Sequence, residues 1–368
     1  MQSSFTMTDH GYMPILLTKR GERIAMRETR AAVKDRLEPM WVVAPPSESK
    51  TLDEAAGSAA KELAADWGAR EAFVDTLYLG DEATTAGDHP LFHVVTSARA
   101  AGVPLIPVTG PDRTPQHLAT VARLARLPGP LAGRVCLRLN FADALQLTLP
   151  PASRIWSLPD LLVTLGVAPD SVDLILDFGE QTGAPAAAAS LAYTIVAALP
   201  ALPDWRSITF AATNVPASLA GYTQNAITAL PRLEWDAYAA LTALAPPRLV
   251  RFGDYGVQNP DIPLGVDGRF LRIFSQIRYS TDSQWLIARG QELKVHGNGH
   301  VAALASLLTA HPDFAGRSFS VGDAWLVDCA TGALPSTGSP ERWRRVGTSH
   351  HLSGVADQVA RHSGVPVP

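Results

Sequence analysis

Cysteine is almost missing from this chain: Cys136 and Cys329 are the only two in 368 residues, far apart and each inside an apolar run. No disulfide framework can be built from them, and buried free thiols in a reducing cytoplasm are the expectation. Charge is also scarce, at 18% of residues, and carries no basic surplus: 31 Lys and Arg face 35 Asp and Glu, for a net charge of −4. A chain without a global positive field has no means of holding an extended nucleic-acid backbone. Long apolar runs are absent too. The most membrane-like stretch, Ala184 to Leu202, is dominated by alanine and interrupted by Pro185 and Pro200, so it reads as a buried helix rather than a span. The first residues, MQSSFTMTDHGYMP, lack the basic-then-apolar order of a secretory leader. A cytoplasmic protein is expected. No P-loop, GxSxG elbow or kinase signature occurs.

What is present is a rhythm. Short apolar runs at Met13–Leu17, Met40–Ala44, Ala72–Leu79, Leu105–Val108, Val135–Leu139, Leu174–Phe178, Ser207–Ala211 and Leu249–Phe252 read as strands. Between them, helical periodicity predicts helices over Glu22–Leu37, Thr51–Trp67, Pro90–Ala101, Pro115–Leu124, Leu158–Leu165, Ala186–Ala198 and Glu234–Leu244. Asp88 ahead of Pro90 and Thr114 ahead of Pro115 give a polar cap followed by proline in the first turn. Strand then helix, eight times over about 250 residues, is the arithmetic of an α/β, TIM-like (β/α)8 barrel. A doubly wound open sheet competes, but it would show a glycine-rich phosphate turn after its first strand, where only Gly21 stands. The expected organisation is a disordered tail over 1–11, the barrel over 12–257 and a C-terminal α+β elaboration over 258–368 packed on it. That last part should hold a hairpin (Phe270–Tyr279 with Trp285–Arg289), a helix (Val301–Thr309), a strand (Ala324–Cys329) and a final helix (Ser353–His362).

Barrels of this type bind ligands at the C-terminal strand ends, which makes a short roster of polar residues of interest. The first strand delivers Lys19, with Glu22 one turn later; the fifth offers Arg138, the sixth Asp177, the seventh Thr213 and Asn214, the eighth Arg251, Asp254 and Tyr255. Cations beside acids suit a small anionic or zwitterionic ligand, with Asp177 or Asp254 as general base. In Gly253-Asp254-Tyr255-Gly256, two glycines flanking Asp-Tyr suggest a tight turn. His350 and His351 stand in a Gly-Thr-Ser-His-His phrase ahead of the expected final helix, and they are candidates for a base or relay reaching the ring of barrel-end residues. A histidine beside Asp there would have its charged form favoured. Adjacent side chains diverge and no HxxxH partner is near, so no metal site is expected; no cofactor signature accompanies Lys19. Arg278, Arg289 and Arg344 recur beside Tyr or Trp, a mixture that either locks the tail to the body or binds an anion.

The phrases PILLTKRGE, LEPMWVVAPP, DLILDFGE, FGDYG, IRYSTDSQWLIARG, GDAWLVDCATG and WRRVGTSHHL occur in an order that resembles the phage and bacterial beta protein family, over nearly the whole chain. The resemblance marks Lys19, Glu22, Asp177, Asp254, Tyr255, Arg278, Trp285, Arg289, Gly290, Trp343, Gly347, His350 and His351 as recurrent positions. At Val42 the chain departs from it, where an acid is often found. The resemblance implies association with phages or phage-defence loci and brings no catalytic assignment. Two functions follow as expectations: binding of a small anionic ligand at the strand ends with hydrolytic or lyase-like chemistry, or a non-catalytic scaffold that binds a protein partner from the same locus.

Overall fold

The computed structural model describes residues 11–46, 51–85, 87–261 and 272–368. Residues 1–10, most of the segment expected to be a disordered tail, lie outside them.

Eight parallel strands close into a barrel. In chain order these are β1 (Tyr12–Leu17), β2 (Met40–Val42), β3 (Ala72–Asp75), β4 (Leu105–Thr109), β5 (Val135–Asn140), β6 (Val172–Glu180), β7 (Ser207–Thr213) and β9 (Arg251–Asp254). The barrel closes where β9 pairs with β1, Tyr12 opposite Phe252 and Met13 opposite Gly253. Alternation along each strand explains why the runs are apolar throughout. One face, with Leu137, Leu174 and Phe210, packs against the surrounding helices; the other, with Met13, Ile15, Met40, Phe73, Ile106, Cys136 and Ile175, fills the barrel interior. Around it run α1 (Arg20–Glu28), α2 (Ala31–Lys34), α3 (Leu52–Asp66), α4 (Pro90–Ala100), α5 (Pro115–Ala125), α6 (Phe141–Gln146), α7 (Leu158–Leu165), α8 (Pro185–Ala197) and α9 (Leu233–Ala243). The one long helix expected over Glu22–Leu37 is thus two, broken at Thr29. Thr114 caps α5 as expected, but α4 is capped by His89, whose ring accepts from the Leu91 amide, and not by Asp88.

The C-terminal part differs more. A three-stranded antiparallel sheet has the order β10 (Phe274–Ser280), β11 (Gln284–Glu292), β8 (Ala226–Pro231). The hairpin was legible; β8, supplied from within the barrel segment, was not. After α10 (Leu293–His296) and α11 (Val301–Thr309), the expected strand Ala324–Cys329 is helix α12 (Val321–Ala330). Its buried residues Gly322, Asp323, Leu326 and Cys329 fall at helical spacing, and Ser320 caps it by accepting from the Asp323 amide. The final helix, α13, runs Pro340–His362, thirteen residues longer at its start than expected. The histidines are therefore mid-helix, and the Gly-Thr-Ser phrase is not a cap.

Close backbone approach explains that phrase. A Cβ on Gly347 would lie 2.5 Å from the Arg278 carbonyl, and one on Gly322 would lie 2.3 Å from the Val346 carbonyl. The two glycines let α13 lie directly on β10 and α12. Leu352, Val355, Ala356 and Val359 of α13 join the core that surrounds the barrel. Trp343 and Val346 join the core of the small sheet. Burying each such large apolar side chain contributes roughly 1.5–3 kcal/mol, so α13 ties both bodies together. It occupies the outer position beside α1 and β1 that the strand–helix rhythm leaves empty after β9. Among the described residues no helix is long and apolar enough to cross a membrane.

Candidate functional site

At the C-terminal strand ends, five side chains close on one another. The Arg138 guanidinium donates from Nε to Asp177 Oδ2 at 2.8 Å, from Nη1 to Asp75 Oδ2 at 3.0 Å and from Nη2 to the Tyr255 hydroxyl at 2.8 Å. Tyr255 in turn donates to Asp177 at 2.5–2.6 Å. Arg113 donates to Asp75 at 2.9 Å. Burial alone would raise the Asp75 carboxyl, but the Arg113 and Arg138 cations hold it below its ordinary value. Burial, with the Asp177 charge beside it, pushes the Tyr255 phenol well up. Asp177, the expected general base, is thus committed to Arg138 and Tyr255, and its Oδ1 also accepts from the Gly179 amide. The space left at the mouth is about 30 Å3, room for one water. Sequence reasoning missed Asp75 and Arg113. The expected third strand overran Asp75, so it was not recognised as a strand end.

Glu22 lines the same small cavity from the first turn of α1, together with Val42. The position where the family resemblance expects an acid is therefore apolar, while a carboxylate enters the cavity from another element. Glu22 is 1% exposed. Its Oε1 has one long bond, 3.4 Å, from the Leu17 amide, and its Oε2 has no partner among the described residues. Burial raises this carboxyl to about 7, against the pull of Arg344 and Lys19.

Above the mouth, α13 lies against α1. Gly21 permits this, since a Cβ there would meet the Glu341 carbonyl at 2.8 Å and Arg344 Cβ at 3.5 Å. The contact brings Arg344 beside Lys19 and Glu22. Burial and the Arg344 charge both lower the Lys19 amine. Arg278 comes from β10 to the same place, where it donates to the Val257 carbonyl at 2.7 Å. Burial and Arg344 lower it to about 10. Among the described residues none of Lys19, Arg278 and Arg344 has a carboxylate within ion-pair distance. A crevice of about 230 Å3 opens between Gln258, Phe274, Gln276, Arg278, Trp343 and Arg344. Three polar atoms of its walls, Gln276 Oε1, Arg278 Nε and Arg344 Nε, are buried without a partner among the described residues.

The remaining candidates lie elsewhere. Asp254 is fully buried and accepts from Tyr12 at 2.5 Å, from the Gly256 amide at 2.9 Å and from His351 Nε2 at 2.8 Å. His351 does reach a carboxylate of the expected ring. Its Nδ1 meets Ser280 Oγ at 2.8 Å, and its ring stacks on Trp285. Burial outweighs Asp254 and lowers the His351 imidazole, the reverse of the favoured charged form expected from sequence. His350 points the other way, to Asp323 at 3.0 Å and the Ser280 carbonyl at 2.8 Å, stacked on Tyr279. Arg289 holds the carbonyls of Ala220 and Tyr222. Arg251 begins β9 and pairs with Glu38, near Arg134, Asp173 and Arg206, all of which lie at the starts of strands. It is therefore at the opposite end of the barrel from the mouth.

One trio, Asp81, His89 and His117, has ligating atoms within 4.8 Å of one another. His89 Nδ1 accepts from the Leu91 amide, so the neutral ring carries its proton on Nε2, facing Asp81 at 2.8 Å. A metal would have to displace that proton.

In overall structure the chain is similar to a GH5-4 broad-specificity endoglucanase from an uncultured bacterium, at 14% identity and a TM-score of 0.30, over 68% of this chain and 74% of that one. No curated protein matches it in sequence. The sequence model described as Beta protein matches residues 12–357, nearly the whole chain. With that match added to the ordered phrases that line the mouth, the crevice and α13, the chain belongs to the Beta protein family.

Proposed function

We propose that the crevice between the barrel mouth and α13 binds a small anionic ligand, held by Arg278 and Arg344 with the Lys19 charge beside Arg344. The observation that carries this reading is that, among the described residues, none of these three cations has a carboxylate at ion-pair distance, while both cations of the mouth network do. Partly buried guanidiniums without a counter-charge at ion-pair distance are costly, and an anion entering the crevice would supply it. Gln276 adds an amide in the same wall. Glu22, in the mouth cavity beside Lys19 and Arg344, would be the carboxyl to exchange a proton with a ligand that reached down to it, because a group raised toward neutrality can act as acid or base. Hydrolytic or lyase-like chemistry on an anionic substrate is the activity this arrangement suits. Asp177 is not the base in this scheme.

The setting we propose is the bacterial cytoplasm, in a phage-associated or phage-defence locus. Two free, buried cysteines support a reducing compartment. The reading is tested by calorimetry with phosphate, pyrophosphate and citrate as probes. At least one should bind to the wild type, and the Arg278→Ala/Arg344→Ala double variant should bind it at least tenfold more weakly. Equal affinity in the two proteins would remove the proposal. The self-satisfied mouth favours a second reading, a scaffold whose barrel interior carries no chemistry; co-purification with products of neighbouring genes addresses it.

A further inference from the structure

A second cleft, of about 320 Å3, lies away from the crevice. It is enclosed by the turn between β10 and β11, the last turns of α13 and the loop between α11 and α12. Most charges around it are committed. Asp282 is held by both terminal nitrogens of Arg361, at 2.7 and 2.8 Å. The two ring nitrogens of His350 are taken by Asp323 and the Ser280 carbonyl.

Two groups of opposite sign each keep one atom open. Arg232 is 1% exposed, and its Nε and Nη1 donate to Glu234 at 2.9 Å, Gln358 at 2.6 Å and the Thr281 carbonyl at 3.0 Å. Its Nη2 is buried with no partner among the described residues. Asp357, on the next position of α13 from Gln358, has a buried Oδ1 with none either. Both residues line the cleft, with Asp313 at its edge and Phe319 as an apolar wall. A guanidinium donor left open calls for a carboxylate, and a carboxylate oxygen left open calls for an ammonium. One small molecule carries both at short separation.

We propose that this cleft binds a free α-amino acid, its carboxylate on Arg232 Nη2, its ammonium on Asp357 and Asp313, and its side chain toward Phe319. The volume is at the lower end of small-ligand sites and fits a ligand of that size. None of Lys19, Glu22, Arg278 or Arg344 lines it, so the site stands or falls independently of the anion crevice.

Arg232 is too deeply packed to be a clean test, so two other positions serve. Gly354 lines the cleft, and a Cβ there would meet only His350 Nε2, at 3.8 Å; Gly354→Leu should fold and occupy the space. Asp357→Asn keeps shape and removes charge. Each of the twenty free amino acids is screened by thermal shift and hits are measured by calorimetry. One or more should bind the wild type, with affinity at least tenfold weaker in both variants. Phosphate binding in the crevice should be the same in all three proteins. Failure of every amino acid to bind, or affinity within threefold of wild type in either variant that folds, overturns the proposal. Should Gly354→Leu not fold, Asp357→Asn decides alone.

Discussion

The mouth of the barrel and the crevice above it are built from the same kinds of side chain and differ in one respect. At the mouth, Arg113 and Arg138 are matched by Asp75, Asp177 and Tyr255, and the network closes on itself around a space for one water. In the crevice, Arg278 and Arg344 stand beside each other, with Lys19 on the far side of Arg344, and among the described residues none of the three has a carboxylate at ion-pair distance; Glu22, raised to about 7, lies below them in the mouth cavity. Matched charges close a network on itself; unmatched ones cost stability until a counter-charge is supplied. The comparison teaches that residue type at a strand end does not identify a site.

The sharpest way to break the comparison is at the mouth. Arg138→Ala leaves the Asp75, Asp177 and Tyr255 groups without their shared donor, and loss of a buried cation from such a network costs about 3–5 kcal/mol. A urea titration should show the midpoint fall steeply. A loss below about 1 kcal/mol would mean the mouth is not the self-supporting body described.

Asp254→Ala tests the seam of the barrel with α13. It orphans Tyr12, His351 and the Gly256 amide, at about 1–3 kcal/mol for each buried group left unmade. The combined loss should approach that for Arg138, and calorimetric melting measures it.

Glu22→Gln tests the crevice from the opposite side, through pH. The Glu22 carboxyl is raised from its ordinary value to about 7. The folded chain therefore binds more protons than the unfolded one between about pH 4.5 and 7. Stability from this group is complete below that window and is lost as pH rises through it, by on the order of 3 kcal/mol. The variant should match the wild type near pH 4.5 and become the more stable protein above pH 7. Glu38, raised likewise to about 7, will leave part of the slope in place. His351 acts in the other direction: its lowered imidazole removes stability as pH falls below about 6.5. A pH series of melting curves for both proteins checks the sign.

The smallest effect is expected for Arg344→Ala. Losing an unmatched, half-buried cation should change stability by no more than about 1 kcal/mol, because the lost contacts are offset as Arg278 and Lys19 are relieved of a like charge. Anion affinity should fall instead. A large loss of stability with affinity intact would reverse the contrast between mouth and crevice.

The barrel itself was legible because its signal is local. Eight apolar runs at regular spacing, each followed by a helical period, need no knowledge of distant residues. Lys19, Glu22, Arg138, Asp177 and Tyr255 were found the same way, as polar residues where an apolar run stops. Local signals failed where burial came from two sides. In α13, Thr348, Ser349, His350 and His351 are all buried, so no polar face marks the helix, and glycines needed for close approach imitate a turn. Likewise Leu-Val-Asp-Cys reads as a strand until Ser320 and the spacing of buried residues on α12 are seen. Arg251 was assigned to the wrong end because a shift of two or three residues in a strand boundary carries a side chain from one end of a barrel to the other. Composition and periodicity thus determined the architecture, which rests on apolar surface repeated along the chain. Only the tertiary structure decided which charges are matched, because pairing depends on distances between residues such as Lys19 and Arg344 that are far apart in sequence and meet only when α13 folds back on α1.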